Sequence, residues 1–180
     1  VGDYGAQTHK AIFTPKDNRN YKPVEVQITI TVTKAPSTLT ITDTLNKTYD
    51  GTAAAEPGID RTGSSGAVTF AWYAASEPNT PIDAPSNVGT YIVVATLAGD
   101  TNYEGAEAQL QFSITPKELQ IAGVSAESRT YDETTAVTVT AATLSGIVDG
   151  DTVSANVSGI TANIDSADAG TYSSVTLRGE

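Results

Sequence analysis

Two tyrosine–aspartate pairs recur with matching neighbours, Tyr49-Asp50-Gly51 after Lys47-Thr48 and Tyr131-Asp132-Glu133 after Arg129-Thr130. Together they could form a repeated binding patch, with Tyr49 and Asp50 as ligand contacts. A tyrosine packed over a tight turn explains the same residues more simply. Trp72 and Tyr73 could stack on a sugar ring, but neighbouring strand residues face opposite ways, so at most one is exposed. Trp72 is expected in the core with Val68 and Phe70, which leaves Tyr73 as the surface candidate.

The acidic turns Gly99–Asn102, Lys16–Asn20 and Asp149–Asp151 offer oxygen ligands that calcium prefers. None has the spacing of an EF-hand or a nonapeptide calcium repeat, so side chains capping their own turns are the expectation. No bound cofactor is expected; calcium is the alternative. Lys47 is the lysine best placed for a Lys–Asn isopeptide bond, but its counterpart Arg129 is no substitute in that chemistry. His9 is the single histidine and cysteine is absent, which removes thiolate metal sites and leaves no repeated Ser-His-Asp arrangement. Abundant carboxylates could in principle pair for glycoside hydrolysis, yet they lie in turn-rich stretches where solvation is the default. The chain is expected not to be an enzyme.

The elements that must position these residues are strands. Val24, Val26, Ile28, Ile30 and Val32 alternate with Glu25, Gln27, Thr29, Thr31 and Thr33, the period of a strand with one buried and one wet face. Leu39–Thr42, Ala67–Ala74, Thr90–Leu97, Ala108–Thr115, Ala136–Leu144 and Tyr172–Leu177 read the same way. Threonine is the commonest residue, and β-branched side chains suit a pleated surface better than a helix. Clusters of Gly, Pro, Asn and Asp separate the runs. No window carries apolar residues at helical spacing for three turns.

These strands repeat. Tyr131 follows Tyr49 by 82 positions and Tyr172 follows Tyr91 by 81, and such a period is the mark of a modular array. Val1-Gly2-Asp3-Tyr4 matches the Val-Gly-Thr-Tyr of residues 88–91 once more. Prolines at 36 and 116 mark the joins. The expected domains are 1–35, the last strand pair of a preceding repeat; 36–116, a complete repeat; and 117–180, a repeat lacking its last strand. Absence of methionine reads as a fragment or processed product.

At Asp168-Ala169-Gly170-Thr171-Tyr172 the chain resembles immunoglobulin-like sandwiches, in which a tyrosine at such a turn bonds back to the backbone and pins the corner. Asn87 to Tyr91 is the counterpart. The resemblance implies structural tyrosine corners at Tyr91 and Tyr172, the latter with Asp168. Lys47 to Thr52, followed by Val88 to Tyr91 and Phe112 to Lys117, is similar to the YDG- and MBG-type repeats of large bacterial surface proteins. Glu133 departs from that pattern where Gly stands at 51, and a side chain there has to bear a positive φ that Gly adopts freely. The implied architecture is all-β, tandem immunoglobulin-like β-sandwich repeats of about 80 residues. A β-grasp repeat is the alternative, and it would need a helix.

Ten basic and twenty-one acidic residues give a net charge of −11, which disfavours nucleic acid and anionic membranes as partners. No run is long and apolar enough to insert in a bilayer. Residues 1–35 carry five Lys/Arg and three Asp/Glu, net +2, and residues 118–180 carry two and nine, net −7. Head-to-tail self-association is compatible with that asymmetry. The expected function is a non-catalytic stalk or spacer in a secreted or cell-wall-attached bacterial surface protein involved in cell adhesion, with neighbouring repeats as its contacts. The alternatives are a module binding host glycans or glycoproteins, and an accessory region of a secreted polysaccharide-degrading enzyme.

Overall fold

A computed structural model describes residues 5–178; the Val1–Tyr4 motif lies outside them. Thirteen strands and no helix occur among the described residues: β1 Gly5–Phe13, β2 Val24–Val32, β3 Thr38–Ile41, β4 Lys47–Thr48, β5 Ile59–Thr62, β6 Val68–Ala74, β7 Pro81–Ile82, β8 Gly89–Leu97, β9 Ala106–Thr115, β10 Gln120–Ala126, β11 Ala136–Ser145, β12 Thr161–Asn163 and β13 Thr176–Arg178. The chain is all-β, as its period-2 patterning requires. It divides into two compact units, residues 1–47 with 52–115, and 48–51 with 116–180.

In the first unit the five-stranded sheet runs β4-β9-β8-β6-β7, and β3 and β5 form a separate pair. Alternation along β8 sends Tyr91, Val93, Ala95 and Leu97 to one face, and the antiparallel register sets Tyr91 opposite Phe112 and Val93 opposite Leu110 and Trp72. Val93, Ala95, Leu97, Phe112 and Ile114 are almost wholly buried. Leu39 of the β3–β5 pair packs on Ala95 and Leu97, joined by Ile41, Ile59, Val68 and Phe70. At the other end Trp72 meets Phe112 edge-on with ring centroids 5.8 Å apart. Two opposed sheets thus close on one apolar layer, one end aliphatic and the other aromatic. Ser64 is buried and fully employed: its hydroxyl donates to Ala98 O at 2.6 Å while its amide donates to Ser37 Oγ at 2.9 Å, as a buried polar group must.

The antiparallel β1–β2 ribbon departs from expectation. Its apolar stripe was expected to be buried, but Val24, Val26, Ile28 and Ile30 are 42–59% exposed. Among the described residues the ribbon pairs only within itself, and the side chains that the alternation sorts to one side stand open to solvent. After it, Ala35 settles beside the turn at 102–104, its amide donating to Asn102 O and its carbonyl accepting from the Glu104 amide.

The second unit has a different sheet arrangement: one four-stranded sheet in place of a five-stranded sheet and a separate pair. Its sheet runs β10-β11-β12-β13, and Val137, Val139 and Ala162 form its core with Val124, Val157, Ile160, Ile164 and Val175 around them. Glu133 holds a φ of 62°, and Gly51, the residue it replaces in the repeat, holds 78°. The turn keeps its left-handed form in spite of its side chain. Releasing that conformation is worth about 1–2 kcal/mol, and the added freedom of the unfolded chain takes back about 0.4–1 kcal/mol. Glu133→Gly is therefore expected to stabilise the second unit by roughly 0.5–1 kcal/mol, measured as a higher urea midpoint at unchanged m-value.

Candidate functional site

The repeated Lys/Arg-Thr-Tyr-Asp segment closes its own loop. Lys47 Nζ donates to the carbonyl and hydroxyl oxygens of Thr52, each at 2.8 Å. One period later the Arg129 guanidinium donates to the carbonyl of Thr134 and to Asp132. Each basic residue thus donates to the carbonyl of a threonine five positions downstream. The sequence held that signal in Thr52 and Thr134, but the tyrosine–aspartate pair between them drew the functional reading. Asp132 also accepts from the hydroxyl of Thr134 at 2.8 Å and from its amide at 3.0 Å. These donors, the threonine's first and then the arginine's, hold its carboxyl below the ordinary range.

Tyr49 and Asp50 belong to the second unit and Tyr73 to the first. Within the second unit the Tyr49 hydroxyl donates to both carboxylate oxygens of Asp151, at 2.9 and 3.2 Å, and this bond to an acceptor raises its pKa. Tyr73 is half-buried in the first unit, opposite Ile92 and Pro81 in register. Trp72 faces the core, leaving no exposed indole for a sugar. At the two tyrosines of the repeated turn, Tyr91 donates to Asn87 O at 3.0 Å and Tyr172 to Asp168 O at 2.7 Å. The acceptor is a main-chain carbonyl in both, so Asn and Asp serve equally at this position. The Asp168 carboxylate instead takes the Ser166 hydroxyl.

The acidic turns are occupied by donors. Asp100 accepts from the amides of Asn102, Tyr103 and Ser65 at 2.9–3.0 Å, and these bonds, that from Ser65 foremost, lower its pKa to about 2. Asp17 accepts from the side-chain and main-chain nitrogens of Asn20 and from the Arg19 amide, which lowers its pKa as well. Among the described residues no three His, Cys, Asp or Glu side chains gather as a metal site would need, and His9 is exposed on β1.

A concave feature that brings repeated residues together lies in the second unit. A groove of about 440 Å³ runs between the 128–131 segment and the 167–172 turn. Val137, Ile164 and Val175 form its apolar floor, and Tyr131 and Tyr172 stand on its walls. Arg129 borders it with a buried Nε that makes no hydrogen bond among the described residues. Its remaining guanidinium nitrogens are committed to the loop, and the Tyr172 hydroxyl to its corner. Such a lining, with an apolar floor and two tyrosines, can hold an apolar or extended ligand. In the first unit the counterparts of its walls are β4, which contains Lys47, and β8, which contains Tyr91. There the intervening space is filled by β9, which is hydrogen-bonded between them, and Phe112 of β9 packs on Tyr91 at 5.7 Å.

Residues 115–179, the stretch containing this groove, match the family model of the YDG domain. No curated protein and no solved structure matches the chain.

Proposed function

We propose that this chain is a run of immunoglobulin-like β-sandwich repeats that serves as a non-catalytic spacer or stalk in a secreted or cell-wall-attached bacterial surface protein. What supports this reading is how the repeated polar residues are used. Lys47 and Arg129 each close a loop on a threonine, and Tyr91 and Tyr172 each fasten a corner to a main-chain carbonyl. The signature that recurs along the sequence is thus consumed in shaping each unit, as a module multiplied for length would require. The YDG-domain match over 115–179 supports the repeat character, and the tyrosine corners and opposed sheets of the first unit support the sandwich.

A spacer carries load. Pulling the chain by its ends in a single-molecule force experiment is expected to give two separate unfolding events. The same purified protein is expected to turn over no glycoside, ester or peptide substrate. A single featureless extension, or turnover of any of these, would overturn the proposal.

A second reading, binding of host glycan or glycoprotein, draws on the groove and on Tyr131, whose ring is 58% exposed at its wall. A glycan array and a mucin pull-down separate the two. Retention that Tyr131→Ala abolishes would favour binding; no retention at high micromolar protein would favour the spacer.

A further inference from the structure

Two aspartates in the chain precede a glycine, Asp50 and Asp149, and no asparagine does. An aspartate in that setting can react with its own backbone. The amide nitrogen of the following residue attacks the side-chain carboxyl carbon and closes a five-membered ring, while the carboxyl hydroxyl leaves as water. A side chain on that following residue would crowd the nitrogen; glycine has none. The two pairs are alike in sequence, so what separates them is how the fold holds each.

At Asp149-Gly150 both reacting groups are unengaged. The pair is exposed in the connection between β11 and β12. Among the described residues the Asp149 carboxylate makes no hydrogen bond or ion pair, and the Gly150 amide meets no acceptor. Asp43, Asp100, Asp132 and Asp168, by contrast, all accept from amides or hydroxyls. Ring closure requires the 149–150 peptide plane to swing until its nitrogen faces the carboxyl. Gly150 has no atom within 4 Å of where a Cβ would stand, and the turn is closed by a main-chain bond from the Asp151 amide to Val148 O at 3.0 Å. An exposed turn with so few contacts opens at low cost.

Asp50-Gly51 is held differently. A Cβ on Gly51 would come within 2.8 Å of Val148 Cγ1, so its peptide lies against a packed side chain of the same unit. Asp50 is not without a partner.

We propose that Asp149-Gly150 is a site of spontaneous isomerisation. Asp149 closes to a succinimide with loss of one water, and a second water reopens the ring at either carbonyl. Attack at the side-chain carbonyl restores aspartate. Attack at the main-chain carbonyl leaves isoaspartate, whose chain runs through the side-chain carbon and whose free α-carboxylate is what a protein-isoaspartate methyltransferase accepts. Water lost equals water gained, so no oxidant or metal is required. The isomer carries one extra backbone atom between Val148 and Asp151. It therefore displaces Asp151, whose carboxylate takes the Tyr49 hydroxyl at 2.9 and 3.2 Å.

Incubation of the folded 180-residue chain at neutral pH and body temperature for weeks tests this. Samples are methylated with a protein-isoaspartate methyltransferase and mapped by peptide mass spectrometry. Label is expected to accumulate at 149, with a minor peptide lighter by one water. Position 50 should lag about tenfold, the factor that one further contact to break is worth. In concentrated urea the two pairs should convert alike, because only the fold distinguishes them. Asp149→Glu, at an exposed position, would need a slower six-membered ring and should abolish the label at 149. The Asp151 amide should lose its exchange protection in the converted fraction. Absence of label at 149, or equal conversion of 50 and 149 in the folded chain, would overturn the proposal; an Asp151 amide still protected after conversion would overturn the displacement.

Discussion

Phe112→Ala is expected to remove about 3–5 kcal/mol from the first unit, the range for deleting a buried aromatic ring. Phe112 is 2% exposed and contacts two other rings, Trp72 edge-on and Tyr91 tilted, at 5.8 and 5.7 Å. Alanine would leave both without their partner and open a void that the paired strands β8 and β9 are poorly able to close. Whole domains of this size hold about 5–15 kcal/mol, so the loss consumes much of the unit's stability. Trp72 is the single tryptophan and touches the altered site, so its fluorescence reports this unit alone. A urea titration should show the tryptophan transition moved to much lower denaturant while the tyrosine corner of the second unit melts where it did. An unmoved tryptophan transition would mean that the aromatic cluster is not what holds the sheet.

Leu97→Ala is expected to cost about 2–5 kcal/mol, by a different route. Leu97 is 1% exposed and lies against Leu39 and Ala95, with Ile41, Ile59, Val68 and Phe70 around them. These residues come from both sheets, so the leucine joins the β3–β5 pair to the five-stranded sheet rather than stiffening one layer. Its loss should loosen β3 and β5 first. Amide exchange is the discriminating measurement: protection at residues 38–41 and 59–62 should fall further than protection at 91–95. Equal loss throughout would show that the two layers come apart only as one.

The long strands were legible because their alternation is strict. β6, β8, β9 and β11 lie within two residues of where Ala67–Ala74, Thr90–Leu97, Ala108–Thr115 and Ala136–Leu144 place them. The short ones carried no such signal. β5 has one apolar residue among Ile59-Asp60-Arg61-Thr62, and β12 is three residues, so neighbours rather than pattern define them. The alternation over Tyr172–Leu177 predicts one strand, but β13 begins only at Thr176, after the residues that follow the corner. The wet-and-dry pattern of β2 was also legible, but which surface dries it is a tertiary matter that periodicity does not encode. The groove was invisible for a related reason: its lining is gathered from 126–131, Val137, Ile164 and 167–175, and the period of one strand does not say which segments meet. Spacing showed the repeat, but not that the basic residues at 47 and 129 close loops, because Lys and Arg are interchangeable there only through their reach to a backbone oxygen.

The Asp100 latch has a consequence for acid tolerance. Three amides hold its carboxylate, and its pKa is lowered from an ordinary 3.8 to about 2. The folded chain therefore gains from the ionised form at every pH above the ordinary value, and that gain drains away only as pH falls through about 2. At a vinegar-like acidity, where a free aspartate is already part-neutralised, the turn between β8 and β9 would still be fastened.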